Sequence, residues 1–327
     1  MARHPIAARR LLLAGMLMAI AAPVAAQPAY PNKPIRFITP YPPGGGTTIV
    51  ARMVGQKLSE AWGQPVLVEN RPGGDTIIGS DAVAKAPPDG YTIMLSGSTH
   101  VTINLLHRDV PFDAIKDFAP VATLTSGEEL MVLHPAVPAN TLQEFIALAK
   151  SKPGKLNYSS AGIGVTNHLA SELFNYMAGV KIQHIPYKGG GQALTDLIGG
   201  QVQMFMNNPL TILPHVKSGK VKPIAISGET RLAAIPQVPT FTEAGLPGFD
   251  VRFWYGVLAP SATPKIVIDK LSIEIGKILA APEFKESLAS QGFDPYYTTP
   301  EKMAEVIKAE YAKNAKIIKI ANIKLED

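Results

Sequence analysis

The 327-residue sequence has no cysteine. That excludes disulfide staples, thiol catalysis and a lipidated cysteine, so an apolar core must hold the fold unaided. The common catalytic signatures are missing too. There is no G-x-S-x-G nucleophile elbow, no G-x-x-x-x-G-K-[ST] phosphate loop and no H-E-x-x-H zinc pair. Histidine is sparse and scattered: His4, His100, His107, His134, His168, His184 and His215 include no pair at metal-ligand spacing. No metal and no cofactor is expected from this pattern. Excess charge is scarce as well. The formal net charge of +5 includes Arg3, Arg9 and Arg10, which leaves about +2 for the remainder, and the lysines are spread out rather than clustered. No nucleic-acid surface follows from such a distribution.

What is present begins with a leader. Arg3, Arg9 and Arg10 precede the apolar run Leu11 to Ala26, which ends in Val24, Ala25 and Ala26. That is the order of a secretory signal, with cleavage expected after Ala26. The run is shorter than the roughly 20 residues of a bilayer-spanning helix and contains Pro23. Arg9-Arg10 also matches part of a twin-arginine signal, although the rest of that motif is absent. The mature chain of about 300 residues is expected to be a soluble periplasmic protein with room for two domains.

From Lys33 the signals run strand, glycine turn, helix. PIRFIT is a short apolar strand, followed by a Pro/Gly loop and a helix that stops near Gly63. PVLVEN and YTIMLSGS read as further strands, with the helix TIIGSDAVAKA between them. Thr141 and Glu144 form a capping box for FIALAKSK. Strands then recur at Lys155 to Ser159, KIQHIPY, QVQMFMNN and VKPIAIS, separated by helices. Thr263-Pro264 and Thr299-Pro300 read as N-cap and first-turn pairs of two C-terminal helices. The alternation predicts parallel sheets with loops at the carboxyl ends of strands open to ligand.

Four loops draw attention: Pro42 to Thr48, Arg71 to Thr76, Ser96 to His100 and Ser159 to His168. Several put glycine, serine or threonine just before a helix, where free N–H groups and the helix dipole attract an anion. Any one of them alone also reads as a plain strand-to-helix turn. Four in one chain point to an anion held without arginine. His168, in the first turn of a helix beside Thr166, fits a loop hydrogen bond better than catalysis. Trp254 and Tyr255 fit a core or hinge role better than stacking on a ligand.

The stretches YPNKPIRFITPYPPGGG, VLVENRPGG, AKAPPDGYTIMLS, DFAPVATL, KPGKLNYSSAGIG, HIPYKGGGQALTDLIGGQVQ, PTFTEAGLPGF and WYGVLAP span nearly the whole chain beyond the leader. Together they resemble the Bug-type (TctC-like) receptors of tripartite tricarboxylate transporters. The resemblance implies an α/β two-domain periplasmic-binding-protein fold, type II-like, with a ligand in an interdomain cleft. One lobe is expected from residues 27–125 with 249–327, the other from 126–248. Carried over position by position, Tyr41, Pro43, Gly44, Gly45, Gly46, Thr47, Thr48, Asp75, Thr76, Ser96, Ser98 and Thr99 supply one wall. Ser160, Ala161, Gly162, Thr166, His168, Tyr187 and Asn207 supply the other. The sequence departs from the family pattern at Thr48 and Asn207, where aspartate is common, at Asp75, where glycine is usual, and at Tyr41, where phenylalanine is typical. Ligand identity is therefore not inherited, and Thr48 and Asp75 are expected to influence ligand preference.

The implied role is that of a monomeric, non-enzymatic receptor, which captures a small carboxylate and delivers it to membrane transporter subunits. The acids this resemblance implies are di- or tricarboxylates, acidic amino acids or aromatic acids. Two alternatives stay open: a sensor that docks on a signalling partner such as a sensor kinase, and a periplasmic hydrolase using His168 with Ser160.

Overall fold

The computed structural model describes residues 30–291 and 293–323, so the leader expected over residues 1–26 lies outside the described residues. The chain alternates at first: β1 (Ile35–Thr39), α1 (Gly46–Trp62), β2 (Val66–Asn70), α2 (Ile77–Ala84), β3 (Thr92–Gly97) and α3 (Ile103–Leu106). Short 3-10 turns at Gly74–Thr76 and Ser98–Thr102 enter α2 and α3. Two strands then follow with no helix between them, β4 (Phe118–Glu128) and β5 (Leu130–Leu133). Alternation resumes through α4 (Leu142–Ser151), β6 (Asn157–Ser160), α5 (Thr166–Ala178), β7 (Gln183–Pro186), α6 (Gly190–Ile198), β8 (Met204–Asn207), α7 (Pro209–Lys217) and β9 (Lys222–Ile226). The chain finishes with β10 (Arg252–Pro260), α8 (Lys265–Ala280), α9 (Pro282–Ser290), β11 (Asp294–Pro295) and α10 (Pro300–Ile320).

Local chemistry sets several of these boundaries. Gly63 ends α1 in the left-handed region at φ 64°, and its N–H caps the Ser59 carbonyl. Thr141 caps α4 by accepting from Glu144 N–H at 3.2 Å, while the Glu144 carboxylate accepts from Asn140 N–H at 2.6 Å. Thr299 caps α10 in the same way, with Pro300 in its first turn. Thr263 does not cap α8 as expected. Its hydroxyl turns back to the Pro260 carbonyl at 2.7 Å, and Pro264 takes the N-cap position.

The strands form two sheets, ordered β11-β4-β10-β3-β1-β2 and β7-β6-β8-β5-β9. The expectation of parallel sheets is corrected here: both are mixed. β1 pairs in parallel with β2 and β3, but β10 runs antiparallel to β3 and β4. In the second sheet β6 is parallel to β7 and β8, while β5 is antiparallel to β8 and β9. β10 and the edge strand β11 reverse the first sheet and β5 reverses the second, and no helix separates β4 from β5 or β9 from β10.

Both faces of the second sheet are buried. Met131 and Leu133 of β5 face the cluster built on Phe145, Phe174 and Phe241, whereas Leu130 and Val132 face Leu194, Phe205 and Ile212. In the first sheet, Ile38, Met94, Trp254 and Leu258 pack under α10 through Met303 and Ile307. The chain passes from one sheet to the other at Glu129 and returns between Ile226 and Arg252. Ser227 ties these passages together. Its hydroxyl accepts from Glu129 N–H at 2.8 Å and donates to the Val251 carbonyl at 2.5 Å, and its N–H donates to the Glu129 carbonyl at 3.0 Å.

Candidate functional site

A cavity of about 420 Å³ opens where loops of the two sheets meet, within the size range of small-molecule sites. Its walls are built from the starts of helices. Gly45, Gly46 and Thr47 open α1, Val165, Thr166 and Asn167 open α5, Gly189 precedes α6 and Asn208 caps α7. The first three helices have no side-chain cap hydrogen bond at their N-termini. Their free N–H groups and dipole ends therefore sit beside one shared, open cavity. The lining contains no arginine, and its charged-type side chains are Glu129 and Lys188.

The first-sheet wall is fixed by Asn70 at the end of β2. Its Nδ2 lies 2.9 Å from Thr39 Oγ1, 2.9 Å from the Tyr41 carbonyl and 2.8 Å from Thr48 Oγ1. Strand, loop and α1 are thus pinned by one amide. The Tyr41 hydroxyl meets Thr99 Oγ1 at 2.6 Å, and burial raises its pKa despite that hydrogen bond. Gly46 permits the close approach of α1 to the wall. A Cβ there would lie 2.7 Å from Phe293 Cζ and 3.2 Å from the Tyr255 hydroxyl. A second contact joins loops of both sheets: Ser98 Oγ lies 2.8 Å from Thr166 Oγ1.

Of the residues singled out from the sequence, Tyr41, Pro43, Gly45, Gly46, Thr47, Ser98, Thr99, Ala161, Thr166 and Asn207 line this cavity. Gly44, Thr48, Asp75, Thr76, Ser96, Ser160, Gly162, His168 and Tyr187 do not. Each of several has a physical reason. Thr48 is buried against Asn70 and the Pro42 carbonyl. Asp75, at φ 47°, points outward, with its carboxylate 3.7 Å from His107 and 68% exposed. Tyr187 donates to Asp196 at 2.7 Å, and its hydroxyl is pushed up to about 12 by burial and by that carboxylate.

The pairing of His168 with Ser160 is also corrected. Ser160 is fully buried, and its hydroxyl lies 2.6 Å from His184 Nε2 and 2.8 Å from the Gly162 carbonyl. His168 Nδ1 instead accepts from Gly164 N–H at 2.9 Å, and its ring stacks on His184 at 3.9 Å. Burial, and secondarily His184, depress His168 to about 3, while burial alone depresses His184 to about 4. Both rings are neutral supports of the α5 loop. Trp254 and Tyr255 separate by strand alternation. Trp254 is buried in the core with its indole N–H donating to Glu310, whereas Phe253 and Tyr255, two residues apart on the same face, line the cavity.

Pro42, Gly97, Glu129, Val165, Asn167, Lys188, Gly189, Asn208, Phe253 and Tyr255 line the cavity without having been named as ligand positions. Pro42, Gly97, Val165 and Asn167 lie inside loops the sequence marked. The glycine turn before α6 signalled Gly189. Glu129 carried no such signal, because an acidic pair between apolar runs reads as solvated surface.

Among the described residues, no group of three or more His, Asp or Glu side chains could hold a metal ion, and no helix is long and apolar enough to cross a membrane. A family model described as tripartite tricarboxylate transporter family receptor matches residues 50–323. Protein BugT of Bordetella pertussis is 36% identical over 323 residues, covering 97% of this chain and 99% of that protein. Among solved structures, Rpa4515 of R. palustris with adipate is 31% identical at a TM-score of 0.82, covering 91% of this chain and 100% of the other. MatC of Rhodopseudomonas palustris with bound malate is 30% identical at a TM-score of 0.77, covering 88% and 100%.

Proposed function

The chain belongs to the tripartite tricarboxylate transporter receptor family, and on that footing we propose that its cavity captures a small organic acid for delivery to a membrane transporter. The lobes that close on the acid are drawn as residues 27–125 with 249–327 and residues 126–248, and the protein works in the periplasm after loss of residues 1–26. The observation that carries this reading is the convergence of three uncapped helix N-termini on a cavity without arginine. Each such end contributes up to about 2 kcal/mol toward an anion when partly buried. Closure removes water and strengthens these contacts, and neutral donors leave the anion releasable.

Nothing in the cavity is arranged for turnover. The serine hydroxyl that meets an imidazole, Ser160 at His184, is fully buried and already committed. The protein therefore binds and releases its acid unchanged.

The test is a thermal-shift screen of protein refolded to strip bound ligand, against adipate, malate, citrate, aspartate, glutamate, nicotinate and terephthalate. A ligand binding only the folded state at a hundredfold excess over its Kd adds about 2.7 kcal/mol of stability, seen as a raised Tm. A rise with one class of acid supports the reading. No rise with any acid defeats it.

A further inference from the structure

Glu129 sits alone between β4 and β5, where the chain passes from the first sheet to the second. Its backbone is held on both sides by Ser227, so the side chain has a fixed origin. That side chain lines the cavity, yet the residue is only 3% exposed and its Oε2 is buried with no hydrogen-bond partner. An orphaned buried carboxyl oxygen costs about 1–3 kcal/mol. Native chains carry such atoms where something else completes them.

We propose that Glu129 is a ligand-binding residue, that its carboxyl group donates a hydrogen bond to an oxygen of the bound acid, and that the ligand is accordingly a dicarboxylate. This rests on the cavity being the acid site. One carboxylate takes the free N–H groups of the helix starts, and the second satisfies Glu129.

The surroundings decide which form of Glu129 is present. The titratable group facing it from β10 is Tyr255, with Tyr41 of the loop after β1 beyond; both hydroxyls are raised by burial and neutral. Lys188 lines the same cavity from the loop after β7 but does not act on Glu129. The preceding residue, Glu128 at the end of β4, packs over Gly228 and does not line the cavity. Arg252 of β10 is engaged by Glu229 at 3.1 Å and Asp250 at 3.4 Å. With no cation to hold the charge, burial pushes the Glu129 carboxyl up to about 8, so at neutral pH it keeps its proton and donates. A bound anion raises it further.

The experiment measures the affinity of adipate and malate, with hexanoate as the one-carboxylate control, by calorimetry at pH 6, 7, 8 and 9.5. It compares the wild type with Glu129→Gln and Glu129→Leu, each checked by circular dichroism. Wild-type adipate affinity is expected to fall about 30-fold between pH 7 and 9.5, as the protonated fraction falls to a few per cent. Glu129→Gln, which keeps a neutral donor, stays within a few-fold of wild type at pH 7 and loses the pH dependence. Glu129→Leu loses adipate at least 10-fold and leaves hexanoate unchanged. A flat wild-type profile, an affinity that rises with pH, an unaltered profile in Glu129→Gln, or binding of hexanoate without adipate or malate overturns the proposal while leaving the acid-binding reading intact. Silence across the whole acid panel defeats both.

Discussion

Replacing Asn70 with alanine tests how the cavity wall is built. The amide presents two N–H groups to three acceptors, Thr39 Oγ1, the Tyr41 carbonyl and Thr48 Oγ1, all within 2.9 Å. Asn70→Ala removes both donors. Thr48 is 3% exposed, so its oxygen has no access to water as a substitute. Two net hydrogen bonds at about 1 kcal/mol each give a loss near 2 kcal/mol, a Tm lower by about 3 °C for a chain of this length. The functional effect is separate. With the Tyr41 loop and α1 untethered, the start of α1 no longer aims at the ligand, and its contribution of up to about 2 kcal/mol is reduced. On the acid-binding role proposed above, affinity for the acid then falls by up to about 30-fold. Differential scanning fluorimetry reads the first quantity and calorimetry the second. A lowered Tm with affinity unchanged within twofold refutes the claim that α1's N-terminus holds the acid. An unchanged Tm refutes the three-way tether itself.

Asp75→Gly relieves a left-handed backbone at φ 47° and is expected to raise stability by up to about 1 kcal/mol in urea titration; ligand preference stays as it was, and a changed preference would place Asp75 at the ligand after all. The stacked histidines predict acid sensitivity. Both folded values, about 3 and about 4, lie below the ordinary imidazole range. The unfolded chain therefore takes up protons first, and stability is lost as pH falls from about 6.5 toward the folded values. His184→Asn removes one such proton, and the slope of unfolding free energy against pH between 6 and 4.5 should decrease by up to about 1.4 kcal/mol per unit. Identical slopes in urea denaturation of the two proteins would count against a buried neutral pair.

Much of the fold was legible because most of the chain follows local rules. Gly63, Thr141 and Thr299 end or begin helices as their residue types require. The starts of α1 and α5 were legible from glycine and hydroxyl residues before apolar helical patterns. The mixed sheets were not. β4 and β10 pair along nine positions, although 124 residues separate Glu128 from Arg252, and no local pattern reports a partner that distant. Part of the site was hidden for the same reason. Tyr255 enters the cavity through strand alternation in β10, and Glu129 through a crossover that has no sequence signature. Ser160 and His168 flank cavity-lining positions of their loop, and Tyr187 precedes Lys188, but their polar atoms are spent inside the protein, on His184, Gly164 and Asp196.

The position of β10 bears on the order in which the chain can fold. Every strand of the second sheet lies between Leu130 and Ile226, so that sheet can assemble as soon as its own stretch has emerged. The first sheet begins earlier in the sequence yet cannot close, because β10 is wedged between β4 and β3. Until Arg252–Pro260 arrives, β1–β3 and β4 are separate fragments with open edges. The half of the protein made first is thus completed last, since its central strand pairing spans most of the chain and carries the slow closure of long-range contacts. A newly made chain consequently remains incompletely folded until about four-fifths of it exists.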